Sequence, residues 1–363
     1  MSAPFKLLGF DHARFTVGNA LQSAHYYETV FGFDRVAYRG LEQGNRDRAS
    51  YALRQNDVVF VLESPYHGDS PLNNWLVRHG DGVRDIAFRV DDAEAAWKHT
   101  VGLGAKSALE PREHKDEGGR VVLSAIETYG DVTHTFVQRE NYDGPFLPGY
   151  DPAQSRTGGQ HVGLETIDHV VGNQPEHEME NVVQFYENIF GFQRLWTVDD
   201  KDISTEYTSL RSVVVSTEDE AVKMPINEPA EGVKKSQIEE YVEFNAGAGV
   251  QHIAMSTSNI VDTIKALVAN GADFLYVPDT YYDTLGERVG TIDEDIETLR
   301  SLGILVDRDD RGYLLQLFTR PVQDRPTLFF EIIQRKQARS FGKGNFKALF
   351  ESIEREQERR GTL

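Results

Sequence analysis

The chain has 363 residues, enough for two ordinary domains, and its 39% hydrophobic and 26% charged residues are typical of a globular protein. Lys and Arg number 38 against 58 Asp and Glu, a formal net charge of −20, which argues against nucleic acid or an anionic membrane surface as a partner. There is no cysteine, no run of 18 apolar residues and no segment typical of a signal peptide, so we expect a cytoplasmic protein without disulfides or cysteine-bound zinc.

Similar segments occur twice along the chain, in the same order. "GFDHARFTVGNALQSAHYYETVFGF" near the start is similar to "TIDHVVGNQPEHEMENVVQFYENIFGF" in the middle, with Asp-His in an apolar run and a closing Phe-Gly-Phe. "GVRDIAFRVDDAEAAWKHTVGLGA" then matches "GVQHIAMSTSNIVDTIKALVANGA", and "THTFVQR" matches "TLFFEIIQR". The shared order makes chance similarity unlikely and indicates an internal repeat.

Each half is predicted to contain a strand, a helix, a strand, a helical crossover and further strands. The first helix should end at Gly32 in one half and at Gly191 in the other, because Gly commonly terminates helices. The segments "DGVRDIAFRV" and "GVQHIAMS" have the composition of strands.

A stretch rich in Gly and Pro separates the halves and predicts a linker over residues 142–160. We therefore expect an N-terminal domain over residues 1–150 and a C-terminal domain over residues 160–363. Residues 272–326 of the second half include a long segment with no counterpart of that length in the first half.

Three positions of the repeat carry candidate metal ligands in the second half. The aligned pairs are His169 with His12, His252 with Asp85, and Glu331 with Thr135. Two His and one carboxylate are the ligand set of non-haem Fe(II) oxygenases, although imidazole also suits Zn and Ni. A buried unpaired carboxylate is costly, so Glu331 should bind a cation, with Arg335 as an alternative ion-pair partner. The first half keeps one of the three ligands, and we expect it to bind no metal.

Strand alternation predicts which side chains lie near these ligands. In "YLLQLFT", Gln316 and Phe318 share a face, and a hairpin would bring them to Phe329 and the metal. Gln251 should point away from His252 if their strand is regular.

The C-terminus is predicted to form an amphipathic helix. Its apolar positions follow helical spacing at Phe346, Leu349, Phe350 and Ile353. Asn345 is the predicted N-cap, and Gly361 follows the end. Two glycines in "FGKGN" predict a hinge, so this helix is either a docking element or a lid.

The long segments "NEPAEGVKKSQIEEYVEFNAGAGVQHIA", "LLQLFTRPVQDRPTLFFEIIQR" and "FGKGNFKALFESIE" resemble the 4-hydroxyphenylpyruvate dioxygenase family. The resemblance runs from Asp11 to about Glu354. It implies an α+β fold of two vicinal-oxygen-chelate domains, each of paired βαβββ modules forming a curled sheet around a cavity, plus a C-terminal lid helix. It also implies a homodimer or homotetramer.

The resemblance further implies one Fe(II), held by His169, His252 and Glu331. The implied reaction converts 4-hydroxyphenylpyruvate and O2 into homogentisate and CO2 by oxidative decarboxylation, ring hydroxylation and side-chain migration, as in tyrosine catabolism. The polar residues implied in catalysis are Gln237, Gln251, Gln316, Asn227 and Ser212. The residues implied in substrate binding are Phe318, Phe329, Phe341, Asn345 and Phe346.

Three alternatives remain open. A 4-hydroxymandelate synthase would share the fold, iron and substrate, but that relative carries a smaller aliphatic residue at the position of Phe318, so Phe318 favours ring attack. An extradiol ring-cleaving dioxygenase needs a catalytic His or Tyr near the metal, where this sequence offers Gln. A non-enzymatic binder of aromatic ligands on the same fold would have no use for three metal ligands.

Overall fold

Two mixed β-sheets form the framework of the protein. The structure is a computed structural model that describes residues 3–155, 160–198 and 209–362. The strands of the first half are β1 (Leu7–Thr16), β2 (Asp34–Arg39), β3 (Arg48–Gln55), β4 (Val58–Pro65), β5 (Gly82–Val90), β6 (Ser107–Asp116), β7 (Gly119–Glu127), β8 (Thr133–Glu140) and β9 (Asp151–Pro152). Those of the second half are β10 (Ile167–Asn173), β11 (Gln193–Val198), β12 (Ser209–Ser216), β13 (Lys223–Ala230), β14 (Gly249–Ser256), β15 (Leu305–Arg308), β16 (Tyr313–Phe318) and β17 (Phe329–Lys336).

The helices cover the outer faces and the C-terminus. They are α1 (Ala20–Val30), α2 (Pro71–His79), α3 (Ala93–Gly102), α4 (Met179–Phe190), α5 (Gln237–Phe244), α6 (Ile260–Ala269), α7 (Thr280–Asp283), α8 (Leu285–Val289), α9 (Ile296–Leu302) and α10 (Lys343–Arg360). Gly191 caps α4 in the left-handed conformation (φ 70), as predicted. In α1 the C-cap is Phe31, and Gly32 follows it. No helix of the described residues is long and apolar enough to span a membrane.

The two sheets have the same strand order, which confirms the predicted repeat. The first runs β6-β7-β8-β5-β1-β4-β3-β2, with β9 at its edge, and the second runs β15-β16-β17-β14-β10-β13-β12-β11. Each half therefore contains two βαβββ modules, which begin at β1 and β5 or at β10 and β14. The predicted α+β architecture of paired βαβββ modules is confirmed.

The segment predicted as a linker is packed against the first sheet over part of its length. Phe146, Leu147 and Tyr150 are buried among small residues of that sheet, and the ring of Phe146 lies 5.1 Å from that of His12. Asp151–Pro152 then pairs with β2 at the sheet edge. The concave face of the first sheet is thus filled by its own chain.

The two halves share one apolar core. Phe330 on β17 stacks on Phe60 of the first half with ring centroids 5.6 Å apart, and it also contacts Phe31. Because side chains alternate along a strand, the neighbouring Glu331 faces the concave side of the second sheet. The first half therefore supports the strand that presents this carboxylate.

Candidate metal centre and substrate cavity

Three adjacent strands bring the candidate metal ligands together. His169 on β10, His252 on β14 and Glu331 on β17 are buried, and one ligand atom from each lies within 4.8 Å of the others. Glu331 Oε2 is 3.2 Å from His169 Nε2 and 3.4 Å from His252 Nε2. This arrangement of two imidazoles and one carboxylate fits a single metal ion with open coordination positions.

Two β-bulges set the orientation of the histidines. In the pairing of β10 with β14, Ile167 faces Met255 but His169 faces Ala254, so Asp168 is an extra residue. One such bulge places two consecutive side chains on the same side of a strand. Asp168 Oδ1 consequently accepts a hydrogen bond from His169 Nδ1 at 2.7 Å.

The second bulge overturns one prediction. Val171 faces His252 and Gly172 faces Val250, which leaves Gln251 as the extra residue of β14. Gln251 therefore does not point away from His252, and its Oε1 accepts a hydrogen bond from His252 Nδ1 at 3.0 Å. The regular alternation assumed from sequence fails at this residue.

These two hydrogen bonds fix the tautomer of both rings. Asp168 and the Gln251 oxygen can only accept, so each His carries a proton on Nδ1 and leaves Nε2, on the side of Glu331, as the atom that can bind a metal. Metal-binding histidines are commonly oriented by a hydrogen bond to the other ring nitrogen. The donor set therefore fits a divalent cation.

The charges at the site are unequal for the two rings. Burial opposes ionisation of Glu331, but the adjacent His169 outweighs it and lowers the pKa of this carboxyl to about 2. Burial would also lower the pKa of His169, but the carboxylates of Glu331 and Asp168 raise it. For His252 burial dominates and the pKa is lowered, because its other neighbour is the neutral amide of Gln251.

Arg335 forms its ion pair with Asp168 and not with Glu331, which corrects the alternative considered above. Its Nε and Nη2 each lie 2.9 Å from Asp168, and Nη1 donates to the Ser340 carbonyl at 2.6 Å. The guanidinium also lies 5.1 Å over the ring of Phe341, which in turn contacts His169. Arg335 thus links Asp168, which bonds the metal ligand His169, to the segment before α10 that contains Ser340 and Phe341.

The first half has the same pairing of His, Asp and Arg, but an arginine side chain lies where the second half would bind a metal. Asp11 accepts from His12 Nδ1 at 2.7 Å and is paired with Arg139. The guanidinium of Arg14 lies 3.2 Å from His12 Nε2, so a side-chain cation faces the nitrogen that would bind a metal. Asp85 accepts instead from Thr135, at 2.8 Å.

We predict that Asp168→Asn weakens metal binding about 10- to 100-fold, because the partner that holds His169 loses its charge and its ion pair. The measurement is titration of the metal-free protein with Co(II), followed by visible absorption. Asp11→Asn is the matched control, since it breaks the equivalent pair with Arg139 in the first half. Equal loss of affinity in both variants would contradict the prediction.

A small cavity of about 30 Å³ lies next to Gln251 and Phe329, two residues that contact the metal ligand His252. Gln237, at the start of α5, lines it together with Gln251, Phe329 and Ile353 of α10. Phe329 stacks on His252 with centroids 4.7 Å apart, and Phe318 meets the same ring edge-on at 6.1 Å. The structure therefore brings both predicted aromatic residues to the metal centre.

The remaining polar candidates lie on neighbouring strands. Ser212 and Asn227 are direct partners in the pairing of β12 with β13, and Asn227 donates to Asn173 Oδ1 at 3.3 Å. The predicted hairpin of β16 and β17 is present, with Phe318 opposite Glu331. Gln316 is buried on this hairpin, and its Oε1 has no hydrogen-bond partner among the described residues.

The C-terminal helix begins three residues earlier than predicted. Its N-cap is Gly342 in the left-handed conformation (φ 79), so Asn345 is not the N-cap. A Cβ at position 342 would lie 2.3 Å from Gln316 Oε1, so close packing requires Gly there. The predicted end is confirmed, since Gly361 caps the helix with φ 72.

The apolar side of α10 packs into the second half. Leu349, Phe350 and Ile353 are buried, while the side chain of Phe346 lies outside the described part of the structure. Near the far end of the helix, Arg360 pairs with Glu240 of α5 at 2.7 Å. The helix thus lines one side of the cavity and is held near its C-terminal end.

Sequence reasoning did not identify the role of Asp168, the partner of Arg335, or the hydrogen bond of Tyr281 to Asn345 in the first turn of α10. The signal for the first was present, because Asp-His and Gln-Arg occur in both halves and the structure joins them as ion pairs. Tyr281 lies in the segment without a counterpart, where the repeat offers no comparison.

Two family models match the chain. "Hydroxyphenylpyruvate dioxygenase, HPPD, N-terminal" matches residues 1–147, and "Glyoxalase/Bleomycin resistance protein/Dioxygenase superfamily" matches residues 166–317. Among solved structures, a triple mutant of 4-hydroxymandelate synthase from Streptomyces coelicolor is similar, with a TM-score of 0.86 and 30% identity, covering 97% of this chain and 99% of that one.

Curated relatives are similar over nearly the whole length. The 4-hydroxyphenylpyruvate dioxygenase of Dictyostelium discoideum is 53% identical over 367 residues, covering 98% of this chain and all of that protein. The 4-hydroxyphenylpyruvate dioxygenase of Danio rerio is 50% identical over 370 residues, covering 99% of this chain and 93% of that protein.

Proposed function

The chain belongs to the 4-hydroxyphenylpyruvate dioxygenase family, and from this premise we propose that Fe(II), held by His169, His252 and Glu331, is its metal. The chain is a dioxygenase that acts on a small molecule and O2. It converts 4-hydroxyphenylpyruvate into homogentisate and CO2.

The choice of Fe(II) rests on the geometry of the three buried ligands. Two imidazoles and one carboxylate converge from adjacent strands, with both Nδ1 atoms already bonded to Asp168 and Gln251. Such a site binds through three positions and leaves others open, which suits non-haem Fe(II) chemistry with O2.

When bound, Fe(II) supplies positions for the 2-oxo acid and O2, and the electrons that activate O2. Asp168 and Gln251 hold the imidazoles in the tautomer that the metal needs. Phe318 and Phe329, both against His252, provide apolar walls for the phenol ring.

Neutral amides and a closing helix complete the proposed site. Gln237 and Gln251 line the cavity and offer hydrogen bonds to the phenol or the carboxylate without adding charge. Ser212, Asn227 and Gln316 are proposed to serve the same purpose, and Phe341, Asn345 and Phe346 to close around the substrate. With α10 across the cavity, water is kept away from the reacting oxidant.

The test is O2 uptake with 4-hydroxyphenylpyruvate by protein loaded with Fe(II), Zn(II) or Ni(II). Only the Fe(II) form should consume O2, since Zn(II) has no accessible redox change. The product must be identified by chromatography, because homogentisate and 4-hydroxymandelate have the same mass. Formation of 4-hydroxymandelate would show that homogentisate is not the product. O2 uptake without Fe(II) would overturn the choice of metal.

The fold is shared with 4-hydroxymandelate synthase, so Phe318 remains the residue on which the product rests. Its ring lies opposite Glu331 across the β16–β17 pair. We also propose that residues 1–150 form a domain without metal, that residues 160–363 form the catalytic domain, and that the protein is a cytoplasmic homodimer or homotetramer.

A further inference from the structure

The segment without a counterpart in the first half packs against the start of the C-terminal helix. In the first half the chain passes from α3 directly to β6, whereas in the second half α7, α8 and α9 lie between α6 and β15. Tyr281 and Arg288 of this added segment reach the first turn of α10, as does Asp307 of the following strand β15. The added segment therefore lies under the proposed lid.

Two of these contacts hold the helix backbone. Asp307 Oδ2 accepts from the amide of Gly344 at 3.0 Å, and Arg288 Nη1 donates to the Gly344 carbonyl at 3.1 Å. The guanidinium of Arg288 also lies 4.7 Å above the ring of Tyr281, which holds that ring against the helix. Asp307 of β15 thus satisfies a free amide in the first turn of α10, and Arg288 of α8 adds a bond to a carbonyl of the same turn.

The third contact reaches a side chain of the proposed substrate site. The hydroxyl of Tyr281 accepts from the Val306 amide at 2.9 Å and faces two acceptors, Asn345 Oδ1 at 2.6 Å and the Val306 carbonyl at 2.9 Å. A phenol has one proton, and the shorter distance assigns it to Asn345. The Asn345 amide is therefore fixed with its oxygen toward Tyr281.

This orientation leaves a donor free inside the protein. Asn345 is fully buried, and its Nδ2 has no hydrogen-bond partner among the described residues. An unsatisfied buried NH₂ is costly and calls for an acceptor. Gln316 Oε1, next to the start of the same helix, is also unpaired.

We propose that Tyr281 is a positioning residue, which orients the Asn345 amide so that its NH₂ donates to the bound substrate when α10 is closed. The added segment of the second half then serves as the platform on which the lid helix is seated. This inference rests on the proposed role of Asn345 in substrate binding.

The test compares Tyr281→Phe with Tyr282→Phe. The first removes only the hydroxyl that bonds Asn345, and the ring over which Arg288 lies is kept. The second removes the neighbouring hydroxyl, which bonds the Ile304 carbonyl at 3.0 Å and does not reach α10. We expect Tyr281→Phe to lower kcat/KM about tenfold and also to lower the amount of homogentisate formed per O2 consumed. Tyr282→Phe should leave both quantities near their wild-type values.

A second comparison separates orientation from general damage. Tyr281→Phe is combined with Asn345→Ala, and substrate binding to the anaerobic Fe(II) protein is followed by the visible band of the chelated 2-oxo acid. If Tyr281 acts through Asn345, the double variant equals Asn345→Ala alone. Additive losses, or full activity of Tyr281→Phe, would overturn the inference.

Failure of the underlying proposal gives a different result. Full activity of Asn345→Ala would remove the role of Asn345 and this inference with it, while homogentisate formation by the wild type would still support the proposed function. Thermal unfolding of all variants controls for folding, and a fall in Tm confined to Tyr281→Phe with unchanged turnover per folded molecule would assign it a structural role only.

Discussion

His169→Asn is expected to abolish tight metal binding and to lower kcat/KM by about a thousandfold, which corresponds to about 4 kcal/mol of lost transition-state stabilisation. Asn cannot supply the Nε2 lone pair that now lies 3.2 Å from Glu331. With one ligand gone, Glu331 and His252 do not complete the three-point site. Metal content by atomic emission and turnover at saturating Fe(II) measure the two effects.

The repeat supplies a matched control for this variant. His12→Asn changes the equivalent residue of the first half, which has the same hydrogen bond to its preceding Asp. It should lower the free energy of unfolding by about 1–3 kcal/mol because a buried hydrogen bond is lost, yet keep metal and turnover. Loss of metal from His12→Asn, or its retention in His169→Asn, would refute the assignment of the centre.

Deletion of residues 343–363 should uncouple O2 consumption from product formation. The deletion removes Leu349, Phe350 and Ile353 from the second half and opens the cavity that Ile353 lines. Water then reaches the site, where reactive intermediates decay without attacking the ring. We expect homogentisate formation to fall at least about tenfold, while substrate-dependent O2 uptake falls less.

The metal serves as the internal control for the truncation. None of the three ligands lies in the deleted segment, so metal affinity should stay within about threefold of the full chain if folding is intact. Oxygen electrode traces and chromatography of the same samples give the ratio of O2 to product. An unchanged ratio at unchanged turnover would remove the lid from the mechanism and leave α10 as a docking helix.

Much of the site could be predicted because the repeat fixed which strands are equivalent. Alignment of the halves placed His169, His252 and Glu331 on three strands, and the structure joins those strands as neighbours. Alternation also predicted the face shared by Gln316 and Phe318. These features depend only on the internal repeat and on the alternation of side chains along a strand.

What escaped prediction depends on contacts between distant segments. A bulge is defined by the partner strand, so nothing in "GVQHIA" indicated that Gln251 would turn toward His252. At the N-cap of α10, Gly342 has a left-handed backbone and leaves no room for a side chain beside Gln316, which is distant in sequence. Arg335 is four residues from Glu331 but pairs with Asp168, which is close only in the folded sheet.

The bulges of the second sheet also occur in the first. Asp11 and Arg84 are the extra residues of β1 and β5, at the positions that correspond to Asp168 and Gln251. A bulge is gained or lost only by inserting or deleting a residue, whereas a ligand changes by a single substitution. The backbone geometry that places the ligand positions can therefore be conserved while the ligand residues themselves change.

Because of this separation, the first half keeps the backbone of a metal site although it lacks two of the three ligands. Its backbone still presents His12 as the second half presents His169, and side chains such as Arg14, Asp85 and Thr135 differ at the centre. Because Phe146 also packs against His12, point mutations could restore ligands there but would not by themselves reopen the concave face.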